Sequence, residues 1–164
     1  MGSGSDPRLL AVVDIDGVVA DVRHRLRHVR SQPKDWVAFF AAAPEDPVLE
    51  QGLETVRRLA EVFEVVYLSG RPERCRGDTE GWLRRHGLPP GRVLLRPAGD
   101  RRPARLLKVE VLDRLALDRV VAVLVDDDPL VLDAARAAGY DVLPADWMPA
   151  EESLREAQEV EGET

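Results

Sequence analysis

Two acidic clusters carry the strongest chemical signal in the sequence. Asp14-Ile15-Asp16-Gly17 follows one apolar run and Asp126-Asp127-Asp128 follows another. Carboxylates crowded within a few ångströms repel one another and shift their pKa values unless a cation neutralises them. An all-oxygen donor set suits Mg²⁺, a hard ion that also bridges to substrate phosphate. An aspartate carboxylate can attack phosphorus and form an aspartyl-phosphate, the chemistry open to Asp14. Asp16, two residues on, can protonate a leaving group and later activate water. Ser69, in Ser69-Gly70-Arg71, offers a hydroxyl to a phosphoryl oxygen, and Lys108 offers positive charge to a transition state. Each feature alone has an ordinary explanation: a capped turn, a loop, a solvated helix face, an acidic helix N-cap. Together, in this order and each beside its own strand, they point to phosphoryl transfer.

These groups can meet only if they stand at one edge of one sheet. The runs Leu9–Val13, Phe63–Leu68, Val93–Leu95, Val120–Val125 and Asp141–Leu143 are short, apolar and rich in β-branched residues, which predicts five strands. Between them, Leu49–Val62, Pro72–Gly87, Arg102–Leu117 and Pro129–Gly139 show helical spacing of apolar residues, and two of these segments stop at glycine. Strands alternating with helices predict an α/β fold, a parallel Rossmann-like sheet sandwiched between two helical layers. Ligands of such sheets bind at the carboxyl ends of the strands, at a topological switch point.

Residues 21–47 break this rhythm between the first strand and the next helix. They predict a small helical insertion that caps the strand ends. The cap's basic run, Arg23, His24, Arg25, Arg27, His28 and Arg30, reads equally as a lid that steers a phosphate-bearing substrate or as a solvated face. Trp36, Phe39 and Phe40 are expected to form the cap's own small core. Residues 1–8 read as a flexible lead, residues 9–148 as one catalytic domain, and residues 149–164 as an acidic tail, a short helix fraying into disorder.

A length of 164 residues suits one domain with a real core. The net charge of −7 argues against tight, non-specific nucleic-acid binding, although arginines crowd positions 23–30, 71–76 and 92–105. No apolar run is long enough to span a bilayer, so no membrane partner is expected. The N-terminus lacks the pattern of a signal peptide, and the single cysteine, Cys75, permits no internal disulfide. Both features favour a cytoplasmic location.

DIDGVVAD, LSGR, a helical lysine and VDDD resemble, in that order, the four motifs of the haloacid dehalogenase (HAD) superfamily of phosphohydrolases. The resemblance implies Asp14 as nucleophile and Asp16 as general acid and base. It implies that Ser69 binds the phosphoryl group and that Lys108 holds Asp14 and the phosphate. It also implies Mg²⁺ held by the Asp14 side chain, the Asp16 backbone carbonyl and Asp126, with Asp127 close or acting through water. A narrower resemblance lies in Ser69, Arg71, Thr79, Trp82, Arg96, Gly99, Asp100, Arg102 and Lys108. This pattern is similar to the 3′-phosphatase domain of polynucleotide kinase-phosphatases. It implies a substrate with a phosphorylated nucleic-acid end or nucleotide, bound by Ser69, Gly70, Arg71, Arg96 and Arg102, and a role in nucleic-acid repair. The phosphate-binding GxxxxGK[ST] loop of a kinase is absent from these residues, so a kinase or ligase partner would be a separate component. Two rival readings stay open: the same chemistry on mononucleotides or small phosphorylated metabolites, and a catalytically silent binding module. The oligomeric state stays open as well.

Overall fold

The computed structural model describes residues 8–164, so the expected lead at residues 1–8 lies outside the described residues except for Arg8. In chain order the elements are β1 (Leu10–Val13), α1 (Arg27–Arg30), α2 (Trp36–Ala41), α3 (Glu50–Val62), β2 (Glu64–Pro72), α4 (Arg76–Arg85), β3 (Arg92–Arg96), α5 (Ala104–Leu115), β4 (Val121–Asp126), α6 (Pro129–Ala137), β5 (Val142–Pro144) and α7 (Glu152–Glu159). The strands form one parallel sheet in the order β3-β2-β1-β4-β5.

Alternation along each strand divides the core into two layers. Val13, Val65 and Tyr67 face Leu53 and Val56 of α3 and Trp82 and Leu83 of α4. Leu10, Val12, Val66 and Leu68 face Leu112 and Leu115 of α5 and Val131 and Ala135 of α6. β1 is covered on both sides and buried along its length, which explains its unbroken apolar sequence. Each such aliphatic side chain contributes roughly 1.5–3 kcal/mol on burial. The chain leaves β1 for β2 and β3 on one side, then returns to β4 on the other. The switch point therefore lies at the carboxyl ends of β1 and β4, where Asp14 and Asp126 stand.

β2 differs from its expected extent. It runs past Leu68 through Ser69-Gly70-Arg71 to Pro72, and its register against β3 shifts between Leu68 and Pro72. Tertiary contacts made by Arg71 and Arg96 hold this stretch extended, where the local sequence reads as a turn.

The cap has its own core of Val22, Leu26, Val29, Phe39 and Phe40, with Trp36 packed against it. The aromatic rings meet edge to face at 5.5 and 5.1 Å. Asp35 caps α2 by accepting from the Ala38 amide at 2.9 Å. The tail departs from expectation. Leu154 joins the cap cluster, and α7 buries Leu154, Ala157 and Gln158. A face with small and aliphatic residues three apart docks onto the cap instead of fraying. Among the described residues, no helix is long and apolar enough to cross a membrane.

Candidate active site

β1 delivers Asp14 to the switch point. The Asp14 amide extends the ladder by donating to the Val125 carbonyl at 2.9 Å. One carboxylate oxygen, Oδ1, accepts from the Ile15 amide at 2.7 Å. The other, Oδ2, is buried and accepts no hydrogen bond. Lys108 Nζ, brought in by α5, lies 3.1 Å from it and donates to Asp126 Oδ2 at 2.6 Å. Burial opposes the Lys108 charge, but Asp126 and Asp14 outweigh it and hold the ammonium firmly protonated.

The chain turns at Gly17, whose φ of +79° favours glycine. A Cβ there would stand 2.2 Å from Asp127 Oδ2, so the Asp-x-Asp-Gly turn and the second acidic cluster close against each other only because this residue has no side chain. Carboxylate oxygens of Asp14, Asp126 and Asp127 lie within 4.8 Å of one another. Burial, then Lys108 in opposition, then Asp126 and Asp127 set the Asp14 carboxyl well above the usual range. Burial and the Asp126 charge push Asp127 up to about 7. Asp127 Oδ1, like Asp14 Oδ2, is buried without a partner. Two buried carboxylate oxygens without a hydrogen-bond partner, in a cluster of three acids, fit a hard divalent cation, which would offset the crowding of negative charge.

Asp16 belongs to a second network. Its Oδ1 accepts from Arg71 Nη2 at 2.6 Å, Arg71 Nε at 2.9 Å and Arg25 Nη2 at 2.9 Å. Burial alone would raise this carboxyl, but Arg71 and Arg25 hold it well below the usual carboxylate range. Asp46, at the end of the cap, ties the same two arginines from behind. Its carboxylate accepts from Arg25 Nε and Nη2 at 2.9 Å each and from Arg71 Nη2 at 3.0 Å. His24 Nε2 lies 2.6 Å from Asp46 Oδ1. α4 closes the network: Thr79 Oγ1 accepts from Arg71 Nη1 at 3.3 Å, and Trp82 Nε1 donates to the Asp46 carbonyl at 2.8 Å.

Ser69 Oγ accepts from the Arg71 amide at 3.2 Å, which leaves its hydroxyl proton free for another acceptor. Arg96, at the end of β3, is buried and donates to the carbonyls of Gly70 and Arg102 at 3.1 and 2.7 Å. Asp14, Asp16, Ser69, Gly70, Arg71, Lys108, Asp126 and Asp127 thus gather at the switch point, with Arg96 beside Gly70. Arg102 does not join them. It is half-exposed and paired with Asp100 and Glu110.

Four residues at the site carried little sequence signal. Arg25 is one basic residue among six in the cap run, yet it alone is fully buried. Asp46 and Thr164 have no motif around them. Arg155 of α7 donates to the Asp127 carbonyl at 2.6 Å from a tail that reads as solvated.

Residues 9–146 match the family model described as the polynucleotide kinase PNKP phosphatase domain. The chain belongs to this family. It is a HAD-type phosphatase domain, with the α/β fold of HAD hydrolases. Two similar solved structures are chains of Pnkp1/Rnl/Hen1 assemblies, one described as an RNA repair complex. The first is 20% identical with a TM-score of 0.67, covering 87% of this chain and 43% of that one. The second is 22% identical with a TM-score of 0.66, covering 87% and 47%. The PNKP-type domain described here therefore spans under half the length of those chains. A third structure, the HAD hydrolase YfnB from Bacillus subtilis bound to magnesium, is 11% identical with a TM-score of 0.56, covering 84% and 88%. At these identities the likeness concerns the fold alone. No curated protein matches the sequence.

Proposed function

We propose that the chain is a Mg²⁺-dependent phosphomonoesterase that works through an aspartyl-phosphate on Asp14 and removes 3′-phosphate from polynucleotide ends or nucleotides. The observation that carries this reading is Asp14 Oδ2, a buried strand-end carboxylate oxygen with no hydrogen bond, 3.1 Å from Lys108 Nζ. Asp14 Oδ2 attacks phosphorus as the ester P–O bond breaks, and the leaving oxygen takes a proton from Asp16. Water then attacks the same phosphorus while Asp16 takes its proton. The Asp14–phosphorus bond breaks and inorganic phosphate leaves. Ser69 donates to a phosphoryl oxygen, and Lys108 balances the charge shared between Asp14 and the phosphoryl group. Asp14, Asp126 and the Asp16 carbonyl, with Asp127 close or acting through water, would hold Mg²⁺, which would supply charge neutralisation for the phosphoryl oxygens.

Asp16 is anionic at rest, as a base must be. Its acid half-cycle needs a proton, and a phosphate that draws Arg71 and Arg25 toward itself raises the Asp16 carboxyl toward accepting one. Gly70, Arg71 and Arg96, which stand beside Ser69 and Asp16, are assigned to substrate binding in this reading, and Arg102, paired with Asp100 and Glu110, is left out of it. The family match supports a polynucleotide end as substrate. The RNA repair assemblies among the structural relatives support a kinase or ligase working beside this domain.

The test compares phosphate release from a 3′-phosphorylated oligonucleotide, its 5′-phosphorylated isomer and mononucleotides, with Mg²⁺ and with chelator. Asp14→Asn is expected to lose all turnover while its thermal midpoint holds. Near-normal Mg²⁺-dependent turnover by Asp14→Asn would refute the mechanism, and equal turnover of mononucleotides would refute the polynucleotide preference.

A further inference from the structure

The acidic segment from Glu151 onward does not hang in solvent. It runs across the mouth of the site and reaches into it at Thr164. Thr164 is 3% exposed, and its Oγ1 donates to Asp16 Oδ2 at 3.0 Å. Arg96 Nη2 lies 3.4 Å from the Thr164 carbonyl oxygen. The backbone of Thr164 presses so closely on Gly70 that a Cβ there would stand 2.0 Å from it. Thr164 therefore touches Asp16, Gly70 and Arg96, the groups a phosphate ester must reach.

The approach to this plug is electrostatic. Residues 149–164 hold six glutamates against a single arginine. Glu151 pairs with Arg30 at 2.7 Å, Glu156 with Lys34 at 3.3 Å and Glu159 with Arg105 at 3.3 Å. Glu161 pairs with Lys34, and Glu163 with Arg101. Four cations, Arg30 and Lys34 from the cap, Arg101 from the segment before α5 and Arg105 from its first turn, thus form a basic track leading to Asp16, and a polyanion already lies along it. The overall charge of −7 conceals this track because the tail covers it.

We propose that the track formed by Arg30, Lys34, Arg101 and Arg105 is the binding surface for the single strand that carries the phosphorylated end, and that residues 151–164 are an internal polyanion competing with that strand for the surface. This rests on the polynucleotide reading of the site. The competition is a population effect: while the tail is docked, apparent affinity for the strand falls by the fraction of molecules in the open form. The cation is exposed in the pairs of Arg30, Arg101 and Arg105, which salt therefore screens, so the tail can yield to a longer polyanion.

Two variants separate the track from the fold. Deleting residues 160–164 removes the plug but keeps Arg155 and the buried face of α7. Replacing Glu151, Glu156, Glu161 and Glu163 by Gln keeps the chain length and removes four charges. Binding is read by fluorescence anisotropy with a 3′-hydroxyl oligonucleotide, which needs no turnover. Both variants are expected to bind about tenfold more tightly than the parent at low salt, with the gain shrinking as salt rises. In the deletion variant, kcat/KM on p-nitrophenyl phosphate is expected to rise as well, since the plug blocks small esters too. Unchanged affinity in both variants, with thermal midpoints intact, would overturn the proposal. If no form turns over any phosphate ester while the affinity gain persists, the phosphatase reading fails and the competing tail stands.

Discussion

Asp46 has no place in the phosphoryl-transfer chemistry, and Asp46→Asn is expected to be among the most damaging conservative changes in the chain. The carboxylate is fully buried and accepts from Arg25 at 2.9 Å twice and from Arg71 at 3.0 Å. With Asp16 it forms a buried set of two carboxylates and two guanidiniums, balanced in charge. Asparagine keeps the shape but removes one negative charge and turns an N–H₂ group toward guanidinium donors. Breaking a buried pair by removing one partner costs about 3–5 kcal/mol, because a charge is left uncompensated. For a chain of this size each kcal/mol moves the thermal midpoint by about 2–4 °C, so a fall of roughly 6–20 °C is expected. Circular dichroism melts of the parent, Asp46→Asn, Arg25→Gln and the double variant form a thermodynamic cycle. The double variant restores charge balance and should lose clearly less than the sum of the single changes. Additive losses, or an Asp46→Asn midpoint within about a degree of the parent, would refute the view that the four groups act as one network.

Two further outcomes concern Asp127. Gly17→Ala is expected to lose about 1–2 kcal/mol from the left-handed backbone and to displace Asp127, whose Oδ2 would stand 2.2 Å from the new Cβ. The check is a lower melt together with a diminished Mg²⁺-induced rise in midpoint; a full rise would show that Asp127 keeps its place. Asp127, pushed up to about 7, keeps a proton in the folded state that the unfolded chain gives up near pH 4. Without metal, stability should therefore fall as pH climbs from about 4 to about 7 and then level off on this account. Mg²⁺ requires the carboxylate, so the Mg²⁺-induced gain should be larger at about pH 8 than at about pH 5.5. Melts at both pH values with Mg²⁺ and with chelator test this, and a pH-independent gain would exclude Asp127 from the site.

The parts of the fold legible in the sequence are those fixed by local pattern. β1 and β4 are short aliphatic runs followed by acids, and α6 opens on Pro129 behind the N-cap Asp128, whose side chain accepts from the Leu130 amide at 3.0 Å. Such signals survive without tertiary context. Ser69-Gly70-Arg71 was legible as chemistry but not as backbone, because its extended form depends on Arg71 and Arg96 binding groups far along the chain. Arg25 and Arg27 sit two residues apart in one basic run, yet one is sealed against Asp16 and the other is exposed. Only the angle at which the cap meets the sheet decides between them, and no periodicity encodes that angle. The docking of the tail is hidden from the sequence for a related reason. A segment with six glutamates reads as solvated unless the cations that receive it are seen together, and these come from separate stretches of sequence.

The cap thereby acquires a role beyond covering the site. Arg25 and Asp46 both come from the 21–47 insertion, and through them the cap sets the charge on Asp16, a residue of the sheet edge. Asp14 and Asp126, by contrast, are held by Lys108 and by the strand ends that carry them. The two halves of the site are therefore built on different parts of the fold. A displacement of the cap would leave the Asp14, Asp126 and Asp127 cluster assembled while removing Arg25 and Asp46 from the Asp16 network. With one guanidinium gone, burial would raise the Asp16 carboxyl toward the neutral range. Cap position is thus coupled to the charge on Asp16, and the same cap carries Arg30 and Lys34, which pair with Glu151 and Glu156 of the tail.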